Sequence, residues 1–230
     1  MRILCPPVLA LLAALVSCAP EKKPEPAPVA VKGITVNASS NPGKALLVLS
    51  GKPVGETPQS FKVAAVEELF QLSATLGQEG LVEKRIKFLS GDQVEVNFVF
   101  GAGRSTMAKV LGIPRILVFD YGTGVTFNVN RADLKAEFLP LLERQATILD
   151  THFPALDVFV CGHTDSQGAK DFNLSLSLDR ARAVAGQLEA RGVKKERLKV
   201  QGFGSDFPVA ANDAESGRAM NRRTEVILPQ

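Results

Sequence analysis

The chain is poor in the side chains from which metal centres and covalent frameworks are built. It has two histidines, His152 and His163, and three cysteines, two of which (Cys5 and Cys18) fall near the start. Two histidines and the remaining cysteine, Cys161, do not make a zinc spacing, so neither a metal nor another cofactor is expected. An excess of one charge is missing as well. Twenty-seven Lys and Arg stand against 24 Asp and Glu, a net charge of +3. That balance argues against a nucleic-acid surface or a polybasic membrane patch. Nor is there an apolar run long enough to span a bilayer, which takes about 20 residues; Ile3 to Val16 falls short. With 230 residues and 45% hydrophobic content, one or two packed domains are expected.

What is present begins with a leader. Arg2, the apolar segment and the small residue Ser17 describe a secretory signal. Two readings follow: an ordinary signal peptide that happens to hold a cysteine, or a lipoprotein signal. Leu15-Val16-Ser17-Cys18 resembles the bacterial lipobox, which implies removal of residues 1–17 and acylation of Cys18, palmitate included. One acyl chain binds only marginally, at about 0.8 kcal/mol per buried CH₂, whereas several hold stably. Ala19 is compatible with sorting to the outer membrane. Cys161 would then be the lone thiol of the mature protein, leaving no intrachain disulfide. It follows Val158-Phe159-Val160 and reads as a small buried hydrophobe. Residues 19–33, rich in proline and mixed charge, form with Cys18 a tether (18–33) that cannot build a core. At roughly 3.1 Å per residue it reaches about 45 Å.

Residues 34–100 read as a small all-β, sandwich-like domain of short strands broken by turn residues. Strands are expected at Ala45–Leu49, Phe70–Ala74, Arg85–Leu89 and Val94–Phe100. Turns are expected at Ser50–Pro53, Gly55–Pro58 and Ser90–Asp92. Helix over Ala64–Leu69 is the alternative for part of this segment. The Gly-Lys-Pro-Val-Gly-Glu-Thr-Pro turn with its flanking strands resembles the PEGA domain family; an unrelated small β-domain is the other reading. Residues 101–114 read as a linker with a turn of helix at Met107–Leu111.

From 115 to 230 strand and helix patterns alternate, the mark of an α/β or α+β domain with helices packed on a mixed sheet. Val125–Val129 reads as a strand, with Asn130 or Asp133 as N-cap of the next helix. Pro140 marks that helix's first turn, and Leu142, Ala146 and Leu149 form its apolar stripe. A strand over Leu156–Cys161 precedes a helix with Leu178, Ala181, Ala185 and Leu188 at helical spacing, stopped by Gly192. A strand at Leu198–Gln201, a short helix at Ala214–Met220 and a strand at Thr224–Leu228 close the pattern.

Four blocks stand out in order: Gly162-His163-Thr164-Asp165, Asn173 to Ala181, Gly202-Phe203-Gly204, and Gly217 to Arg223. Together they closely resemble the OmpA-like C-terminal domain, the family that holds peptidoglycan non-covalently. The resemblance covers about residues 115–230. It implies that Asp165 and Arg180 grip meso-diaminopimelate of the stem peptide, with Thr164 and Arg222 on the same groove. Asn173 reads equally as a ligand contact or a helix cap. The chemistry suits a zwitterion, because a carboxylate meets its ammonium and a planar guanidinium meets its carboxylate. By helical phase Arg180 falls beside the apolar stripe, so its stem packs while its head reaches a groove. The competing reading is an Asp165–Arg180 salt bridge that only ties loop to helix. Arg218 and Asn221 are expected to lock the last loop, and His163 to be a hydrogen-bonded structural residue beside the sheet.

His163, Asp165 and Ser166 invite a hydrolase reading, but base and nucleophile so close in sequence lack a supported geometry, and no enzyme is expected. The family reading implies a lipid-anchored protein of the outer membrane, facing the periplasm and tethering it to the wall. The alternative is an interaction module for other envelope proteins, with wall binding secondary. A motor-stator role is disfavoured because no transmembrane helix precedes the domain.

Overall fold

Eight strands from both halves of the chain share one sheet, in the order β10-β9-β11-β8-β6-β7-β1-β4. The computed structural model describes residues 33–89, 92–122, 127 and 131–230. The leader, Cys18 and nearly all of the tether lie outside those residues, as do Ser90 and Gly91 of one expected turn. So does most of Val125–Val129, of which Phe127 is described, in an isolated bridge with Leu134.

The first half supplies β1 (Ile34–Asn41), β4 (Gln59–Val63), β6 (Leu81–Phe88) and β7 (Gln93–Phe100) to this sheet. The second supplies β8 (Ile116–Gly122), β9 (Val158–Gly162), β10 (Leu198–Gly202) and β11 (Arg223–Pro229). The junction is the parallel pairing of β6 with β8, from Glu83↔Ile116 to Phe88↔Tyr121. Strands β1, β4, β6 and β7 therefore do not close a sheet of their own. Val31–Gln230 is one compact unit.

Side chains alternate across the strands as a period of two requires. In β7, Val94, Val96, Phe98 and Phe100 are buried on one face. That face carries the main core. Over the first half it is covered by a three-stranded sheet of β3 (Lys52–Glu56), β2 (Leu46–Leu49) and β5 (Leu72–Thr75). Over the second half it is covered by α3 (Leu139–Thr151) and α4 (Lys170–Glu189). Leu47 and Leu72 of the small sheet, Leu142 and Leu149 of α3, and Val184 and Leu188 of α4 join one apolar cluster. The sandwich-like layering expected of the first half is thus present, but its larger layer is shared.

The segment 101–114 is more than a linker. It holds α2 (Thr106–Leu111), capped by Ser105, whose hydroxyl accepts from Ala108 N at 3.1 Å, and ended by Gly112 at φ 66°. Met107 and Ala108 pack with Ile116, Val118, Cys161 and Ile227 on the second face of the sheet. Cys161 is buried as expected, and burial pushes its thiol pKa up.

Other differences have local causes. Lys52, Pro53, Gly55 and Glu56, read as turn residues, belong to β3, which pairs with β2. The start of the expected 70–74 strand is taken by a short helix, α1 (Glu68–Gln71). Lys84 meets its end, donating to Leu69 O and Leu72 O at 2.5 Å. Asp133 does not cap a helix, because Arg131 takes its carboxylate at 2.6 Å; a 3₁₀ turn over Ala136–Phe138 leads into α3 instead. Pro140 does sit in the first turn of α3.

Between α2 and the open part of the second face lies a buried ion cluster drawn from both halves. Arg85 donates to Glu83 at 2.9 Å, to Asp120 at 3.2 Å and to Glu225 at 2.6 Å. Arg223 donates to the same Glu225 oxygen at 2.7 Å, and His163 Nε2 lies 3.4 Å from the other. Ser105 at the head of α2 donates to Glu83. His163 is fully buried and stacked on Phe203, and burial lowers its pKa, so the ring is neutral at pH 7. For Glu225, burial works to raise the pKa, but Arg223 and Arg85 hold the carboxyl well below the usual range. Asp120 shifts the other way, raised chiefly by burial.

A carboxyl depressed in the folded state stabilises the fold above its unfolded pKa and loses that contribution as pH falls through the folded value. Glu225→Gln should therefore cost about 3–5 kcal/mol at neutral pH, the loss seen when one partner of a buried ion pair is removed. It should also weaken the dependence of stability on pH below about 4.5. Urea unfolding of both proteins at neutral and acid pH checks it; parallel curves would refute the assignment.

Candidate functional site

The site begins with two glycines. Gly162 ends β9, Gly202 ends β10, and the two are register partners. A Cβ on Gly162 would lie 2.0 Å from Ser177 O, and one on Gly202 would lie 2.5 Å from Leu178 N. The backbone of α4 therefore rests directly on the strand ends, which side chains there would forbid. Ser177 fastens the contact: its hydroxyl donates to Leu174 O at 2.8 Å and accepts from Gly204 N at 2.9 Å. This fixes α4 along and around its axis, with Asn173 four residues before and Arg180 three residues after.

The loop leaving β9 is equally constrained. Thr164 N donates to Gly204 O at 2.8 Å, and its hydroxyl donates to Asp165 O at 2.9 Å. Thr164 thus shapes the loop with its backbone and hydroxyl. Asp165 accepts from Gln167 N at 3.0 Å with one carboxylate oxygen and from Arg222 Nη1 at 2.8 Å with the other. Asn173 lies inside α4, past Ala169 at the cap, so the capping alternative is set aside; it donates to Gln167 O at 2.8 Å and Asp165 O at 3.4 Å. Arg222 spans the gap, giving its second amino group to Glu215 at 2.6 Å.

Arg180 is more enclosed than its helical phase suggests, at 2% exposure. Its Nε donates to Arg131 O at 3.0 Å, and its guanidinium carbon stands 5.3 Å from the Phe127 ring centroid. Burial lowers its pKa, the Arg222 charge lowers it further, and the Asp165 charge opposes both. Asp165, Arg180 and Arg222 therefore act on one another, yet the ion pair formed is Asp165–Arg222. Among the described residues no carboxylate is in ion-pair contact with the buried Arg180, whose Nε meets a backbone carbonyl, so an added carboxylate would be favoured there.

The last loop is locked as expected. Asn221 accepts from Val209 N at 2.8 Å and Ala210 N at 3.0 Å and donates to Ala210 O at 2.8 Å. Arg218 pairs with Glu215 at 3.0 Å and donates to Asn212 O at 3.1 Å. Reading the sequence missed Phe127 and Arg131 as the seat of Arg180, Glu215 as the second anchor of Arg222, and the glycine pair. Only the glycines carry a sequence signal, since each follows a run of strand residues at the point where a loop begins.

Residues 126–222 match the OmpA family. Over 128 residues the chain is 30% identical to a peptidoglycan-associated lipoprotein of Brucella melitensis, covering 56% of this chain and 73% of that protein. The chain belongs to the OmpA family. It is 38% identical over 112 residues to the probable lipoprotein YiaD of Escherichia coli, with 49% of this chain and 51% of that protein covered, so it spans about half of that relative's length. The crystal structure of the peptidoglycan-associated lipoprotein from Burkholderia pseudomallei is 30% identical, covering 45% of this chain and 87% of that one with a TM-score of 0.42. The OmpA match takes in all five candidate residues: Thr164, Asp165, Asn173, Arg180 and Arg222.

Because the glycines set the helix height, Gly162→Ala should destabilise the protein by about 3 kcal/mol, the upper range for overpacking. Thermal unfolding followed by circular dichroism measures this. A loss under about 1 kcal/mol would show that α4 does not depend on the contact.

Proposed function

We propose that this OmpA-family chain is a lipid-anchored envelope protein that holds peptidoglycan non-covalently through Asp165 and Arg180. The burial of Arg180 without a carboxylate partner among the described residues, beside a carboxylate engaged by a second arginine, carries this reading. Diaminopimelate ends in an ammonium and a carboxylate on one carbon. Its ammonium would meet Asp165, and its carboxylate would meet Arg180 and the Arg222 guanidinium released from Asp165. Thr164 and Asn173 would hold the loop that presents Asp165.

Magnitudes favour a site of this kind over a surface one. Exposed ion pairs contribute only about 0–1 kcal/mol. Asp165 is 7% exposed and Arg180 2%, so both charges act where water screens them little. Micromolar affinity corresponds to about −8 kcal/mol, and many such contacts on a polymer hold through effective concentration. The similarity to a peptidoglycan-associated lipoprotein of Brucella supports the same ligand class.

In this reading residues 1–17 are the lipoprotein signal, Cys18 is acylated, and 18–33 tethers the folded part on the periplasmic side of the outer membrane. The described residues contain no helix long and apolar enough to cross a membrane.

Two experiments test the halves of the proposal separately. Wild-type protein should co-sediment with purified sacculi and an Asp165→Ala/Arg180→Ala double variant should stay in the supernatant; equal retention would refute the site. Cys18→Ser should lose palmitate labelling and leave the membrane fraction, whereas unchanged labelling would refute the anchor.

A further inference from the structure

A groove of about 610 Å³ opens on the second face of the large sheet, and none of Asp165, Arg180 and Arg222 lines it. Its floor is built by register. Ser60 of β4 pairs with Asn37 of β1, Asn37 with Glu95 of β7, Glu95 with Lys87 of β6, and Lys87 with Asp120 of β8. A polar row therefore crosses five strands, on the side opposite buried Val36, Val96, Ile86 and Phe119. Beside it Asn97 donates to Ser39 at 2.9 Å, as Ser60 does to Asn37.

Three properties of this floor narrow what it can hold. Its charges cancel, with Arg85 and Lys87 against Glu95 and Asp120, so a strongly charged ligand gains little. Its neutral groups are amides and hydroxyls, each able to donate and accept. Asp120 closes the row with one oxygen on Arg85 at 3.2 Å and the other buried, so it adds no strong anion to the floor. The wall is different. Val209 and Met220, each 47% exposed, bring aliphatic surface to one side, and the Val209 backbone is held by Asn221.

A ligand with a rim of hydroxyls and an apolar C–H face matches both surfaces at once. An extended peptide does not, because β1, β7, β6 and β8 are paired along both edges and the floor over these four strands offers it only side chains, the edge strand β4 lying at one end. We propose that this groove binds a neutral saccharide of one or two rings, a size in keeping with ligand pockets of roughly 300–1,000 Å³. Hydroxyls meet the Asn37, Ser39 and Asn97 row, and a ring face rests on Met220 and Val209.

Calorimetric titration of the full chain, in a zwitterionic detergent without sugar headgroups, tests this. The probes are N,N′-diacetylchitobiose, maltose and trialanine. The sugars carry no stem peptide, so the result is independent of the Asp165 and Arg180 site. At least one disaccharide should bind saturably, and Asn37→Ala/Asn97→Ala should weaken it at least tenfold. Met220→Glu, on the wall and outside the sheet, should do the same and serves if the double variant does not fold. The proposal is overturned if neither sugar binds, if binding survives undiminished in the folded variants, or if trialanine binds in their place.

Discussion

The site rests on how closely a helix can approach the ends of two strands. Gly162 and Gly202 leave no side chain between the sheet and α4, so the helix backbone at Ser177 and Leu178 lies against them. Every distance in the site inherits that contact. Arg180 reaches the Phe127 and Arg131 seat only at this helix height, and Asn173 reaches the Asp165 loop from the opposite end of the same helix segment. β11, paired with β9, carries Arg223 and Glu225, and Glu225 meets Arg85 of β6, which ties the site's sheet to the first half of the chain.

Electrostatics divides the second face of the sheet into parts with different uses. At its centre, acids and bases drawn from both halves form ion pairs in a buried cluster. Towards β1 and β4 the same face becomes a row of amides and hydroxyls with balanced charge. Beyond the ends of β9 and β10, Asp165 and Glu215 both pair with Arg222, while the buried Arg180 has no carboxylate in ion-pair contact among the described residues. The first region is structural because its members are already paired. The last differs in that Asp165 and Arg222 are paired with each other while the neighbouring Arg180 is not paired with a carboxylate among the described residues.

Much of the second half was legible in the sequence because its signals are local. Leu142, Ala146 and Leu149 fall at helical spacing and are buried on α3, and the Thr-Asp and Arg-Ala blocks name Asp165 and Arg180 directly. In the first half the strand at 94–100 alternates, and in the second the one at 224–228 carries the apolar run Val226-Ile227-Leu228. What was not legible depends on pairing between distant segments. Nothing local in Arg85 or Glu225 reveals that residues 140 positions apart share an ion pair, or that β6 seeks β8 and makes one sheet of two expected domains. Asp133 and Asn173 have the side chains of helix caps, but Arg131 and the Gln167 carbonyl claim them first. The depth of Arg180 was hidden for a similar reason, since helical phase places a residue on a face without saying what lies over it.

The central claim is that a ligand carboxylate completes the charge balance around Arg180 while its ammonium meets Asp165. Titrating the protein with two stem tripeptides, alike except that diaminopimelate in one is lysine in the other, tests it most directly. The two differ by the carboxylate assigned to Arg180. The account predicts at least tenfold tighter binding of the diaminopimelate peptide, about 1.4 kcal/mol, and no such preference in Arg180→Ala. Equal affinity for the two peptides in the wild-type protein would contradict it.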